Sequence, residues 1–304
     1  MGEGGIVGLF LTGLDNDYQR RLKSDALRRA GEFGFALEVH HADNDPSRQI
    51  AQLGAAIEGR ASGQMTTMLV CPVSESRLSE TARAAVSAGM DWVLLNRPAP
   101  YMDDLRRDFP ARLIFTILPD QKEIGRIQGQ QARTLAAPGS QVLCITGPAE
   151  ISSARHRLAG LEEVVGAANP IATVNGNWTS EGAHRAVAAW LEADGRTRQI
   201  GVFVAQNDDM ALGARQAASE GAERWSLPLS KVPIIGCDGS SGFGQRQVIA
   251  RRLACTVVVS SAAGPALEWL HRVRAGGERP AVQVMLPVAS FPTIEELAGG
   301  AGSS

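Results

Sequence analysis

The sequence predicts an α/β protein made of two doubly wound parallel-sheet lobes, and three observations lead to this fold class. Short apolar runs alternate with amphipathic stretches along almost the whole chain. Such alternation is typical of βαβ units, in which helices cover both faces of a parallel sheet. The chain has 304 residues, and roughly ten or more strands are too many for one twisted open sheet.

The first part of the chain begins with the apolar run IVGLFL at 6–11, which predicts a buried strand. A helix is predicted at 18–34, because Leu22, Ala26 and Ala30 fall on one face with arginines opposite. Gly34 is expected to end that helix. The following elements alternate in the same way, with strands at 35–40, 66–71 and 91–96 and helices at 47–59 and 76–89.

A connection near 98–112 interrupts this alternation. The stretch Tyr101–Arg112, which contains Pro110, is therefore predicted to mark a domain boundary. Beyond it, strands are predicted at 112–117, 141–146, 171–176, 200–205, 232–239, 253–259 and 282–288. Helices are predicted at 120–136, 153–168, 180–193 and 262–275, with one more beginning near Met210.

Composition and charge narrow the possible functions. The net charge of −2 does not predict long-range attraction to nucleic acid or to an anionic membrane. The first residues lack the pattern of a signal peptide, so a mature or truncated chain is assumed. The four cysteines lie in or beside apolar runs and are expected to be buried, and the five histidines lack the spacing of zinc ligands. We therefore expect no metal and no cofactor.

Common catalytic motifs do not occur in the sequence. No G-x-G-x-x-G follows the first predicted strand, and neither G-x-x-x-x-G-K-[ST] nor G-x-S-x-G is found along the chain. The stretch GSSGFG at 239–244 matches a glycine-rich loop only loosely and comes late. We therefore expect that the protein is not an enzyme.

Polar and aromatic residues follow the predicted strands, where open parallel sheets bind ligands. They comprise amides, acids, arginines and aromatics but few nucleophile–base pairs, which favours binding over catalysis. Simpler roles are open as well: Asn16 could cap a helix, Asn207 or Asp208 could cap another, and the remainder could be turn or surface residues. The candidates are Asn16, Tyr18, Asn96, Arg97, Arg157, Trp178, Asn207 and Asp238.

Five stretches, in this order along the chain, resemble motifs of the type I periplasmic binding proteins of the ribose/galactose type. They are LTGLDNDYQRRLKSDALRRAGEFGF, LLNRPA, SSARHRLAGL, FVAQNDDMALGA and IIGCDG. The resemblance covers roughly residues 5–290 and extends to the effector domains of lac-repressor-like regulators, which share the fold. It implies an N-terminal lobe of 1–118 plus 260–284 and a C-terminal lobe of 119–259 plus 285–304. A three-strand hinge would join the lobes, with a ligand cleft between them.

The same resemblance implies that all eight candidate residues bind the ligand. Sugar hydroxyls both donate and accept hydrogen bonds, so carboxylates, amides and arginine forks suit them. The C–H faces of a sugar pack on aromatic rings, a role that would fall to Tyr18 and Trp178.

The sequence departs from the family pattern at several positions. Asn96 stands where the family usually has an acid, and Cys71 replaces an Asn or Asp before a proline. Gln19 replaces a second aromatic residue, and Val259 stands near a position where Gln is common. The loss of an acid leads to the hypothesis of an anionic ligand, such as a sugar acid, although nearby aspartates at 15 and 17 could restore the balance.

The resemblance implies a monomeric, periplasmic, solute-binding component of an ABC sugar transporter, with a membrane permease as partner and no nucleic acid bound. Two alternatives stay open. One is a ligand-sensing domain that reports to a histidine kinase or chemoreceptor. The other is a repressor effector core without its DNA-binding region, since a helix-turn-helix module of about 60 residues would have to precede the first strand.

Overall fold

The computed structural model describes residues 5–59, 65–166, 168–193 and 199–301. The chain divides into two compact units. Unit 1 comprises Met1–Pro119 and Ser261–Leu286, and unit 2 comprises Asp120–Ser260 and Pro287–Ser304. The chain therefore passes between the units at three points, after residues 119, 260 and 286.

Strands and helices alternate along the chain, as the hydrophobic pattern predicts. In order they are β1 (Ile6–Leu11), α1 (Asp17–Phe33), β2 (Ala36–His41), α2 (Pro46–Gly59), β3 (Met65–Val70), α3 (Ser79–Ser87), β4 (Asp91–Leu95), α4 (Met102–Asp108), β5 (Ile114–Pro119), α5 (Gln121–Leu135), β6 (Gln141–Thr146), α6 (Ser152–Val165), β7 (Ile171–Asn175), α7 (Ser180–Ala193), β8 (Ile200–Ala205), α8 (Asp208–Trp225), β9 (Ile234–Ile235), α9 (Gly244–Ile249), β10 (Thr256–Val259), α10 (Ala263–Arg274), β11 (Gln283–Leu286), β12 (Val288–Phe291) and α11 (Ile294–Ala301). A short 3₁₀ helix lies at Pro228–Lys231.

Unit 1 is built on a six-stranded parallel sheet in the order β11-β5-β4-β3-β1-β2. Phe10, Met68 and Trp92 are fully buried in one cluster with apolar residues of α2, α3 and α4. Helix α1 ends at Gly34, whose φ of 72° is the left-handed conformation that glycine adopts without a Cβ penalty. The predicted end of this helix is confirmed.

Unit 2 contains a four-stranded parallel sheet in the order β7-β6-β8-β9 and an antiparallel pair, β10-β12. Alternate residues of β6 enter two different apolar clusters. Leu143 and Ile145 pack with residues of α7 and α8, whereas Val142 and Cys144 pack with residues of α5 and α6. This period of two buries the sheet on both faces, and the predicted α/β fold class is confirmed.

Two buried glutamines on α5 connect that helix to strand ends of unit 2. Gln128 Nε2 donates to the carbonyl oxygens of Ala205 at 2.8 Å and of Gly236 at 3.1 Å. Gln131 Nε2 donates to main-chain and side-chain oxygens of β10 and β12 at 3.0 and 2.9 Å. These bonds link α5 to the end of β8, to the residue after β9 and to the start of β10.

The predicted domain boundary at Tyr101–Arg112 is wrong, because this stretch lies inside unit 1 and contains α4. Met102 and Leu105 on that helix are buried in the cluster around Trp92. The change of units falls instead after residue 119, at the end of β5.

Two predicted strands differ from the structure. The stretch 232–239 contains only the two-residue strand β9, and Asp238, where φ is 94°, forms an isolated parallel bridge with Val258. The stretch 282–288 contains the whole of β11 and the first residue of β12. β11 pairs in parallel with β5 in unit 1, and β12 pairs antiparallel with β10 in unit 2. Pro287 separates them and has no N–H for a continuous ladder.

The four cysteines are buried, as expected. Within the described ranges, no helix is long and apolar enough to cross a membrane.

The close contact of α5 with α6 depends on glycine and gives a stability prediction. A Cβ at Gly125 would lie 2.0 Å from the carbonyl oxygen of Arg157, whereas a Cβ at Gly54 on α2 meets no atom within 4 Å. We expect Gly125→Ala to lower the free energy of unfolding by about 1–3 kcal/mol through overpacking. The control Gly54→Ala should raise it by up to about 1 kcal/mol, because alanine favours helix. Urea unfolding followed by circular dichroism measures both, and equal effects would contradict this packing.

Candidate functional site

The candidate residues lie in two groups of loops, one in each unit, beyond the carboxyl ends of parallel strands. The unit 1 loop cluster comprises Asn16, Tyr18, Gln19, Cys71, Asn96 and Arg97, after β1, β3 and β4. The unit 2 loop cluster comprises Arg157, Trp178, Gln206, Asn207, Cys237 and Asp238, on α6 and after β7, β8 and β9.

Asn16 follows β1 and caps α1, because its Oδ1 accepts the backbone N–H of Gln19 at 3.1 Å. Tyr18 lies in the first turn of that helix and is 6% exposed. The guanidinium carbon of Arg21 lies 5.4 Å from the centroid of the Tyr18 ring, a cation–π contact. The capping role considered for Asn16 is therefore confirmed.

Asn96 and Arg97 form the turn after β4. Asn96 has a φ of 69°, a left-handed conformation that asparagine tolerates better than most residues. Arg97 is 7% exposed, and its Nη1 donates to the carbonyl oxygen of Pro72 at 2.7 Å. In the described part of the chain, its Nε is buried without a hydrogen-bond partner.

Gln19 belongs to the unit 1 loop cluster, although the sequence singled it out only as a departure from the family pattern. Its Nε2 lies 3.5 Å from Cys71 Sγ, and its Oε1 is buried with no partner among the described residues. If the amide oxygen and nitrogen are exchanged, the outcome is the same: one of the two atoms contacts the sulfur, and the other has no partner among the described residues. A glutamine that is 3% exposed on the buried face of a helix is the signal that points to it.

The loop that carries Cys71 is held by Gln49, which is fully buried. Gln49 Nε2 donates to the Cys71 carbonyl oxygen at 2.9 Å, and Gln49 Oε1 accepts the Val73 N–H at 2.8 Å. Burial raises the pKa of the Cys71 thiol, and the charge of Arg97 opposes that shift. Cys71 therefore presents a neutral thiol at neutral pH.

Arg157 on α6 is 4% exposed and is fixed by residues of three other segments. Its Nε donates to Gln121 Oε1 at 2.8 Å, and its Nη1 donates to the carbonyl oxygen of Gln206 and lies 3.3 Å from Cys237 Sγ. Burial raises the pKa of the Cys237 thiol to about 12. Because these partners belong to α5 and to the loops after β8 and β9, the guanidinium position depends on the fold of unit 2.

Trp178 lies after β7 and has a φ of 61°. The guanidinium carbon of Arg157 is 5.8 Å from its ring centroid, and Asn207 Nδ2 donates to its carbonyl oxygen at 2.9 Å. Only glycine fits at residue 147, because a Cβ there would lie 2.1 Å from the indole. Trp178 Nε1 is buried without a hydrogen-bond partner in the described ranges.

The loop after β8 places two neighbouring side chains in different roles. Asn207 caps α8, since its Oδ1 accepts the Met210 N–H at 2.7 Å. Asp208, the alternative cap, is fully buried and does not cap the helix. Its Oδ1 accepts the hydroxyl of Thr256 at 2.7 Å, and its Oδ2 accepts the Gly239 N–H at 2.8 Å. Asp208 therefore supports the turn that carries Asp238.

Each loop cluster contains one buried arginine, Arg97 in unit 1 and Arg157 in unit 2. Within the described ranges, no carboxylate lies at ion-pair distance, 4.0 Å or less, from the guanidinium of Arg97 or of Arg157. Asp238 is 3% exposed. The described residues contain no group of three or more His, Cys, Asp or Glu side chains arranged to hold a metal ion.

Comparison with known proteins assigns the family. The family model for a periplasmic binding protein domain matches residues 7–262. The chain belongs to the periplasmic binding protein family. The ribose import binding protein RbsB of Escherichia coli (strain K12) is 24% identical over 254 residues, which are 83% of this chain and 78% of that protein.

Two further comparisons agree with this family. A xylitol-binding protein of Mycolicibacterium smegmatis is 27% identical over 206 residues, 67% of this chain and 53% of that protein. The crystal structure of a galactofuranose binding protein superposes with a TM-score of 0.81 and 20% identity, covering 97% of each chain. The resemblance read from the sequence motifs is confirmed.

Asp208 supports a stability prediction for the unit 2 loop cluster. We expect Asp208→Ala to lower the free energy of unfolding by about 1.5–3 kcal/mol or more, because the Gly239 N–H and the Thr256 hydroxyl lose a charged acceptor. The control Asp209→Ala removes the same charge one residue later, at a half-exposed position, and should cost less than about 1 kcal/mol. Chemical denaturation measures both. A larger loss for Asp209→Ala would contradict the role of Asp208.

Proposed function

We propose that this protein binds a polyhydroxylated, sugar-like ligand without chemical change and delivers it as the solute-binding component of an ABC importer. The names of its relatives support this proposal, since one is a ribose import binding protein and another a xylitol-binding protein. Both names denote binding and neither denotes catalysis.

The observation that carries the proposal is a set of buried polar atoms without partners in the described part of the chain. They are Gln19 Oε1, Arg97 Nε and Trp178 Nε1. Buried polar atoms are nearly always hydrogen-bonded, and an unsatisfied one costs about 1–3 kcal/mol. A ligand rich in hydroxyls, each of which donates and accepts, supplies partners for an oxygen and for two N–H groups alike.

The remaining site residues fit the same ligand chemistry. Asp238 offers a carboxylate to hydroxyl donors, and the indole of Trp178 offers an apolar face to sugar C–H groups. Arg157 needs no rearrangement to act, because Gln121 and Gln206 already fix its guanidinium. Such preorganisation reduces the entropy that is lost on binding.

We further propose that the two units act as lobes, 1–118 plus 260–284 and 119–259 plus 285–304, with the ligand held between the two loop clusters. The three passages of the chain between units would form the hinge. A ligand that contacts both clusters favours the closed arrangement by its difference in affinity for the closed and open states. The protein would work as a periplasmic monomer with a membrane permease as its partner.

The charge of the ligand separates two candidate classes. A neutral sugar or polyol matches the names of the relatives. A sugar acid is the second candidate, because the buried guanidiniums of Arg97 and Arg157 have no carboxylate at ion-pair distance within the described ranges. A carboxylate on the ligand would form the bidentate pair that arginine favours.

A matched set of ligands tests this class. We expect thermal unfolding to shift upward with D-ribose, xylitol or the acid D-ribonate but not with amino acids of similar size. Ligand at 100 times its dissociation constant should add about 2.7 kcal/mol to the free energy of unfolding. Tighter binding of ribonate than of ribose would favour the anionic class, and binding of ribose alone would exclude it. A response to amino acids without any response to sugars, polyols or sugar acids would contradict the proposal.

Asp238 gives a direct test of the site assignment. Asp238→Asn keeps the shape of the side chain and suits the positive φ, so the turn should persist. We expect the ligand dissociation constant, measured by calorimetry, to rise roughly ten- to a hundredfold, because a charged hydrogen bond is worth about 1.5–3 kcal/mol. The control Asp104→Asn removes an exposed acid on α4 and should leave affinity unchanged. Unchanged affinity in Asp238→Asn would refute this site.

A further inference from the structure

The segment that interrupts the sequence pattern, Tyr101–Arg112, borders a cavity outside both loop clusters. The cavity has a volume of about 170 Å³ and lies beside the start of β5. The unit 1 loop cluster lies beyond the carboxyl ends of the parallel strands. The cavity lies beside the amino end of β5, which is the opposite end of the same sheet. We call it the arginine pocket. Its walls are Arg106, Arg112 and Arg279 with the apolar Pro110, Leu113 and Pro280.

Arg279 lies in the segment before β11, and its side chain is hydrogen-bonded to the loop that follows α4. Its Nη1 donates to the carbonyl oxygen of Pro110 at 2.7 Å, and its Nη2 donates to that of Ala111 at 2.9 Å. A longer bond joins Nη1 to the Arg112 carbonyl oxygen at 3.4 Å, and the three bonds fix the plane of the guanidinium. The side chain is therefore held at the pocket wall, although residue 279 itself is exposed.

The other two arginines are also fixed by main-chain oxygens. Arg106 Nη1 donates to the carbonyl oxygen of Ile114 at 3.0 Å, and Arg112 Nη1 donates to that of Gly89 at 2.6 Å. Both side chains are partly buried. A guanidinium has five N–H donors, so these bonds leave others for a ligand.

The three arginines of the pocket have no ion-pair partner in the described ranges, and the nearby carboxylate of Asp91 accepts the Leu113 N–H at 2.9 Å. No ion pair of 4.0 Å or less involves Arg106, Arg112 or Arg279 there. Their neighbour Arg107, in contrast, pairs with Asp104 at 2.7 Å and with Asp108 at 3.4 Å. Asp104 and Asp108 are thus engaged by an arginine outside the pocket.

We propose that the arginine pocket binds a phosphate group, either as inorganic phosphate or as the phosphomonoester of a small molecule. Arginine forks match the oxygens of a phosphate, and a dianion balances more of the three charges than one carboxylate does. The cavity exceeds the space that a single water needs, about 10–15 Å³, by a wide margin. The proposal is independent of the sugar-binding function, because it involves no residue of the loop clusters.

Titration of inorganic phosphate into the full chain, followed by ³¹P NMR at constant ionic strength and pH 7.5, tests the pocket. We expect saturable binding of one phosphate per chain. Arg106→Gln and Arg279→Gln should each weaken it about tenfold or more, because each removes a charged donor. Arg107→Gln is the matched control on the same helix and should leave the dissociation constant unchanged. Binding that does not saturate, or an equal loss in Arg107→Gln, would overturn the proposal.

Two competitors define the ligand. If glycerol 3-phosphate displaces inorganic phosphate, a phosphomonoester is the preferred ligand. If it does not, inorganic phosphate is the ligand. Both results support the pocket. Acetate that competes as strongly as phosphate would overturn the assignment to phosphate. Arg106→Gln keeps all three bonds of Arg279 to the 110–112 loop, so it stays informative if Arg279→Gln does not fold.

Discussion

The arrangement of the unit 2 loop cluster depends on the hydrogen bonds of the Arg157 guanidinium. The guanidinium receives support from Gln121 on α5, from the Gln206 carbonyl after β8 and from the Cys237 sulfur after β9, and it lies against the ring of Trp178. A buried positive charge is costly unless it is hydrogen-bonded, so these partners cannot move independently. The loops therefore take a fixed arrangement before any ligand arrives.

The unit 1 loop cluster is supported differently. Among the described residues, the Arg97 side chain has one hydrogen bond, to the Pro72 carbonyl oxygen, and the Gln19 side chain contacts the sulfur of Cys71. Hydrogen bonds to sulfur are weaker than those to oxygen, because sulfur is a poor acceptor and the thiol a poor donor. We infer that unit 1 keeps more hydrogen-bonding capacity for the ligand, while unit 2 supplies the more rigid surface.

Much of this could be predicted from the sequence because the hydrophobic period is a local signal. The strand at 200–205 and the helix at 180–193 have the predicted bounds, since apolar runs and amphipathic faces fix them directly. The cap at Asn207 also follows from local chemistry. Local chemistry does not predict which of two neighbouring polar residues is buried, because Asp208 is buried through bonds to residues 31 and 48 positions away.

The switch of the chain from β11 to β12 was also beyond a local pattern. Both strands are short and apolar, and only their partners, β5 and β10, place them in different units. Gln19 shows the same limit, since its buried position depends on Cys71, which is 52 residues away.

The claim that one ligand satisfies both loop clusters is tested most directly by NMR of two buried N–H groups. The resonances of Arg97 Nε–H and Trp178 Nε1–H, assigned with Arg97→Lys and Trp178→Phe, would be followed during titration with the ligand found in the thermal-shift screen. We expect both resonances to shift and to saturate at the same ligand concentration, with one ligand per chain. A shift in only one of them, or saturation at different concentrations, would contradict the claim.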